Sequence, residues 1–255
     1  MEDLKNNFSC VLGATGCIGI EITSHLLLHK IPVLAIVRSK LKLKNLLNER
    51  NISFKENLLK IREVDFFNNE IKNNELWIEI ISCKNIFNCA SPKIAYNPFS
   101  KINRNWKTPV SDLTKKIIEN TISQNKTPHL FFFIGPEKFK QVDGSSGLFW
   151  GGISKITRTL IKALHDKYVE ANFIINSAYK NWTIFRCGNV RFGSGNMGLA
   201  SKVEMDLYKD KSNYQKGKGK SLIAEDLGSF VVNLIVTEQN KSLKGKLPFI
   251  FNVKF

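Results

Sequence analysis

The sequence predicts an α/β fold, a doubly wound parallel sheet with a small C-terminal cap, in a single domain over residues 1–255. Three observations predict it. Short apolar strands alternate with helical segments along the whole chain of 255 residues, the pattern that gives parallel strands joined by crossover helices. Strands such as VLAIV (33–37) and HLFFFI (129–134) are unbroken apolar runs, as expected of a sheet covered on both faces. Gly13, Gly16 and Gly19 stand three apart in CVLGATGCIG (10–19), between the first strand and the first helix.

The elements follow in order. Residues 8–12 form a buried strand ending at Gly13, and residues 17–29 a helix with Ile18, Ile22 and Leu26 on one face. After Pro32 comes the second strand, then a basic, leucine-bearing helix or turn over 39–50. Residues 59–64 form a third strand closed by Asp65, residues 75–82 a helix and residues 85–89 a fourth strand. A loop with Pro92, Pro98 and Pro109 leads to a helix at 110–125 and the fifth strand, HLFFFI. A glycine-rich loop (135–152), a long helix (154–177) and the strand WTIFR (182–186) follow. The remainder holds a loop, a helix at 225–236 and a last strand, FIFNV. Residues 187–222 and the C-terminal end are expected to form the cap.

Composition excludes several classes. Apolar residues at 43% and charged residues at 24% describe a globular chain. No stretch reaches the ~20 consecutive apolar residues of a membrane span. The polar opening MEDLKNNFS is not a signal peptide. The five cysteines, Cys10, Cys17, Cys83, Cys89 and Cys187, are odd in number and form no C-x-x-C pair, which fits reduced thiols in the cytoplasm. The net charge of +16 permits a nucleic-acid partner. The lysines are nevertheless scattered, without interleaved aromatics, so the charge reads as compositional.

The glycine turn carries the chemistry. A strand–turn–helix unit of this kind meets the pyrophosphate of a dinucleotide. The first glycine makes the tight turn, the second lets the backbone approach the phosphates, and the third lets the helix pack closely. Gly13, Gly16 and Gly19 take these roles, and Thr15, Cys17 and Ile18 present backbone N–H groups to the ligand. NAD binders place an acid at the end of the second strand. Here that position holds Arg38, followed by Ser39, Lys40 and Lys42. A guanidinium pairs with a 2′-phosphate, so the sequence favours NADP over NAD.

Gly-Ala-Thr-Gly-Cys-Ile-Gly (13–19), Val-Arg after the second strand and Asp65 after the third resemble the atypical short-chain dehydrogenase/reductase group. That Rossmann-fold group includes NmrA-like regulators and flavin- or biliverdin-reductase-like proteins. HDKYVEANFIINSAYKNWTIFRCGNV (165–190) is similar to the group's long helix, sixth strand and following turn, and IAEDLGSFVV (223–232) to its late Asp-bearing helix. The resemblance implies that Asp65 lies near the adenine, where a helix N-cap is the alternative role. It also implies that Cys89, Ala90 and Ser91 line the nicotinamide half and that Lys167 bonds the nicotinamide ribose. Arg186 corresponds to a largely structural arginine, while Cys187 stands where the group has proline.

The group's Ser-Tyr-Lys set is incomplete. Lys167 matches the lysine, but Ala163 occupies the tyrosine position, and the fifth strand ends Ile134-Gly135-Pro136 instead of in serine. Tyr214 to Lys218, the chain's Tyr-x-x-x-Lys, falls in a basic loop. Ordinary carbonyl reduction is therefore not expected. What remains is an NADPH-dependent oxidoreductase acting on a flat or conjugated acceptor such as a flavin or quinone. Either such an acceptor needs no protein acid, positioning doing most of the work, or Tyr168, Ser145, Ser146 or water is a replacement acid. The alternative is a catalytically silent NADP(H)-sensing regulator or scaffold with a protein partner. In VDGSSGLFWGG (142–152), Phe149 and Trp150 either stack on a substrate or pack the cap. His25 and His29 lack a third ligand, so no metal is expected. His165 and Asp166 read as a solvated helix end.

Overall fold

The computed structural model describes residues 8–67, 74–92, 100–101, 105–135, 139, 155–193 and 221–250. Most of the expected cap, the 142–152 stretch with Ser145, Ser146, Phe149 and Trp150, and the Tyr214–Lys218 segment lie outside them.

Seven parallel strands make the sheet: β1 (Ser9–Leu12), β2 (Val33–Val37), β3 (Leu59–Glu63), β4 (Asn85–Asn88), β5 (His129–Ile134), β6 (Trp182–Cys187) and, at the far edge, Phe249–Ile250. Their spatial order runs β3, β2, β1, β4, β5, β6, then Phe249–Ile250. Both β2 and β4 pair with β1, so the chain reverses its direction of travel across the sheet between β1 and β4. A crevice opens beyond the carboxyl ends of strands at such a point.

Side-chain alternation divides the core in two. Cys10, Leu12, Ile36, Ile86, Phe132 and Ile184 face one side. They pack under α3 (Asn74–Ile81), α4 (Pro109–Ser123) and α5 (Lys162–Asn176) through residues such as Ile80, Ile117 and Ile174. Val11, Ala35, Val37, Phe87, Phe131 and Phe185 face the other. There α1 (Cys17–Leu28), α2 (Lys40–Glu49) and α6 (Ala224–Val236) cover them with Ile22, Leu26, Leu43 and Val231. Both faces are covered by helices, which explains why strands β2 and β5 read as continuous apolar runs. A short parallel pair, β7 (Val190–Arg191) and β8 (Leu222–Ile223), stands apart from the main sheet. The edge strand Phe249–Ile250 is β9.

Two expectations need correction, and one holds. The long helix is broken: residues 155–160 are helical, Ile161 is extended at φ −114° and ψ 94°, and α5 begins at Lys162. Asp166 is not a solvated helix end. It is fully buried, and its carboxylate accepts N–H groups from Val110 and Ser111 at 2.9 Å and from the Trp106 indole at 2.8 Å. It thus caps the N-terminus of α4, while His165 beside it is exposed. Arg186 is buried and structural, as expected, donating from Nε to the Leu247 carbonyl at 2.8 Å and lying 3.7 Å over the Phe249 ring.

On the rim opposite the crevice, α1, α2 and α4 each end in the same turn. Lys30, Asn51 and Asn125 adopt left-handed backbone at φ 58°, 53° and 49°. Each donates its N–H to a carbonyl three residues back, and the next residue donates to one five back, which is the Schellman closure.

Candidate functional site

Gly13 turns at φ +75°, and a Cβ there would sit 2.8 Å from Ala90 Cα. The turn therefore lies directly on the backbone after β4. Behind it, a Cβ on Gly19 would collide with the Gly13 carbonyl, so the helix seats against the turn only without a side chain. Gly16, the α1 N-cap, is extended and makes no side-chain cap bond, and the first turn of α1 carries no acid. The amides of Cys17, Ile18 and Gly19 precede the first intrahelical bond, Ile20 N–H to the Gly16 carbonyl at 3.0 Å. They are open donors at the positive end of the helix dipole. An anionic group such as a pyrophosphate fits this end, because neither a side-chain cap nor an acidic neighbour competes for it.

Cys17 and Ile18 at this end border a cleft of about 900 Å³ at the carboxyl ends of β1, β4 and β5. Gly13, Thr15, Gly16, Cys17 and Ile18 line it on the α1 side. Burial pushes the Cys17 thiol up to about 11, with Glu21 adding to the shift and Arg50 opposing it, so the thiol is neutral and does not repel an anion. Arg38 and Lys42 line one end together with Asp65. Cys89, Ala90, Ser91 and Lys167 line the other region of the wall. Burial, aided by Cys187 and opposed by Lys167, pushes the Cys89 thiol far up.

Of the residues expected at the cofactor, Gly19 keeps the packing role expected of the third glycine, and Ser39 has another task. Gly19 does not line the cleft; it provides the helix-to-turn contact. Ser39 caps α2, its hydroxyl accepting the Lys42 N–H at 3.2 Å, and Glu63 accepts the Lys40 N–H at 2.9 Å. The Lys40 and Lys42 amides are thus taken, and the charged side chains that line this end are Arg38, Lys42 and Asp65. Asp65 Oδ1 accepts the Phe67 N–H at 3.0 Å, so the carboxylate turns back on the chain that leaves β3 while also lining the cleft.

The structure also brings in residues that sequence reasoning missed. Phe66 and Phe67 line the Asp65 end, and Phe139 the other, beside Tyr168, which the sequence offers as a replacement acid. The Phe-Phe doublet at the carboxyl end of β3 was a readable signal; Phe139 was not. Phe139 stacks on Tyr168 at 5.4 Å, and the Arg158 guanidinium lies 3.8 Å over the same tyrosine ring.

Lys167 is fixed by a buried network. Its Nζ donates to Glu170 Oε2 at 2.8 Å. Glu170 Oε1 accepts from Thr114 Oγ1 at 2.6 Å and from Asn88 Nδ2 at 3.2 Å. Ala163, at the tyrosine position, is 2% exposed and absent from the cleft lining. Among the described residues no group of His, Cys, Asp and Glu could hold a metal, and no helix is long and apolar enough to cross a membrane.

No family model matches the sequence, and no curated protein matches it. Solved structures do. A wide-type short-chain dehydrogenase/reductase from Veillonella parvula in complex with NADP has TM-score 0.63 and 12% identity, over 96% of this chain and 94% of that one. The oxidoreductase ylbE from Lactococcus lactis has TM-score 0.61 and 12% identity, over 97% and 91%. The anaerobilin reductase ChuY from Escherichia coli O157:H7 has TM-score 0.56 and 10% identity, over 97% and 98%. At such identities the likeness is one of fold, and the chain has the Rossmann fold of the NAD(P)-dependent short-chain dehydrogenase/reductase structures.

Proposed function

We propose that this chain is an NADP-binding atypical reductase that passes hydride to a flat or conjugated acceptor, a flavin, a quinone or a similar molecule. The observation that carries it is the cleft itself: an open helix N-terminus above a glycine turn, with Arg38 and Lys42 at one end and Lys167 at the other. A bound nicotinamide dinucleotide would supply the hydride. Gly13, Thr15, Gly16, Cys17 and Ile18 hold its pyrophosphate, and Gly19 lets the helix reach it. Arg38 pairs with the 2′-phosphate, with Ser39 shaping that corner as the cap of α2. Asp65 borders the adenine. Cys89, Ala90, Ser91 and Lys167 border the nicotinamide ribose, and the aromatic wall of Phe139 and Tyr168 offers a flat acceptor a surface to orient on. The NADP complex and the anaerobilin reductase among the fold neighbours support a phosphorylated cofactor and a conjugated acceptor. Free thiols at all five cysteines support a cytoplasmic setting.

The buried Ala163 also favours a second reading, a silent NADP(H)-sensing protein that reports to a partner. Calorimetric titration with NADPH and NADH, on wild type and Arg38→Ala, tests the first. NADPH binds tightly, NADH weakly, and the variant loses the difference. Absence of binding to both overturns the proposal. NADPH oxidation with menadione or FMN as acceptor then separates reductase from sensor.

A further inference from the structure

We propose that Lys167 is the proton donor of this cleft and that Glu170 is the positioning residue that holds it there. Both roles rest on the reductase activity proposed above. Hydride transfer to a conjugated carbonyl or imine leaves charge on an oxygen or nitrogen, and that atom needs a proton. The helix position that would offer a phenol is Ala163, which does not reach the cleft.

Lys167 is held differently from an ordinary surface lysine. Its side chain is 18% exposed, and the carboxylate that receives it is 0% exposed. Burial raises the Glu170 carboxyl above its usual range, with Lys167 and Thr114 opposing the shift and Asp166 adding to it. A buried carboxylate is tolerated only beside a cation and hydrogen-bond donors. Lys167 supplies the cation, while Thr114 on α4 and Asn88 at the end of β4 engage the other oxygen. Asp166 on the same helix is occupied by the N-terminus of α4. Near Lys167, the Cys89 thiol is held neutral by burial. The carboxylate is clamped on both oxygens, so it fixes the ammonium in place. An ammonium has three N–H donors. One goes to Glu170, and two remain for the cleft.

The step balances. As hydride reaches the acceptor carbon, a Lys167 N–H bond breaks and an O–H or N–H bond forms on the acceptor. The acceptor gains two electrons and the dinucleotide loses them. Lys167 is left as an amine beside a buried carboxylate that has lost its cation and keeps only Thr114 and Asn88, an unfavourable pairing that drives recharging from water at its exposed end.

Two variants test this. In Glu170→Gln, with no cofactor present, Lys167 acetylates at least fivefold faster with acetic anhydride, read by peptide mass spectrometry against the other lysines. With NADPH and menadione, the alkaline fall of kcat moves at least one pH unit lower in the same variant. Unchanged acetylation and an unchanged profile overturn the role of Glu170. Lys167→Arg keeps the charge that Glu170 needs, and so keeps the fold, but is a poor acid. It retains NADPH binding by calorimetry and loses at least 100-fold in kcat. Full turnover in Lys167→Arg overturns the acid role alone. A wild type that oxidises no NADPH with menadione or FMN overturns the reductase and the acid role together, while the acetylation arm still decides whether Glu170 holds Lys167.

Discussion

The carboxylate of Asp166 accepts the backbone N–H of Ser111 at 2.9 Å, so one helix on the cleft wall caps the start of another. The same side chain takes Val110 N–H and the Trp106 indole. Asp166→Ala leaves buried donors unpaired and lowers stability by roughly 2–4 kcal/mol, while Asp166→Asn, which keeps an acceptor oxygen, loses less. Urea unfolding measures both. A loss in the alanine variant below ~0.5 kcal/mol would contradict the capping role.

Gly228 on α6 packs on α1 so closely that a Cβ would lie 2.7 Å from Glu21 Cβ and 2.8 Å from its carbonyl carbon. Backbone cannot move aside cheaply, so Gly228→Ala costs on the order of 1–3 kcal/mol by overpacking. It also disturbs the Glu21–Arg50 ion pair, now at 2.7 Å. Thermal unfolding reads the first effect. If the variant melts with wild type, the contact is not tight in solution.

Glu63 sits beside Val37 in the register of β2 and β3, next to the corner where Arg38 begins. Its negative charge opposes a phosphate there. Glu63→Gln strengthens NADPH binding by about 1.5–5-fold at low salt and leaves NADH binding unchanged. Equal gains for both cofactors would mean that the acid acts through the α2 cap and not on the phosphate.

His129 is buried between Thr183, 2.8 Å from Nε2, and Asn240, 3.3 Å from Nδ1. Burial, with a smaller contribution from Lys244, lowers its pKa to about 4. The unfolded chain, with an ordinary histidine near 6.5, binds that proton first. Stability from this group is therefore complete above pH ~6.5 and declines as pH falls toward ~4, by on the order of 2–3 kcal/mol. Urea unfolding across that range, compared with His129→Gln, checks it. Parallel pH profiles in the two proteins would show that other groups dominate.

The sheet and the glycine turn were legible in the sequence because each rests on a local signal: unbroken apolar runs, and glycines at a strand-to-helix junction. The place of Arg38 at the end of β2, in the cleft wall, was legible for the same reason. The Glu170 network was not, because Asn88 and Glu170 are 82 residues apart and no periodicity links them. One clue was present. Ala163, Asp166, Glu170 and Ile174 fall on one buried stripe of α5, and acids at core positions announce buried partners. The break at Ile161 had no such clue, since neither glycine nor proline marks it. Ser39 as an N-cap was readable from its place before a helix, but the adjacent basic residues drew it toward the phosphate instead.

The Schellman turns on the rim away from the cleft have a practical consequence for engineering. Lys30, Asn51 and Asn125 hold a backbone conformation that glycine adopts without steric cost. Lys30→Gly relieves about 1 kcal/mol, the asparagines less. Because the rim lies at the opposite ends of the strands from every residue proposed to touch a ligand, thermostable variants for calorimetry and cofactor soaking can be made there without altering the chemistry under test.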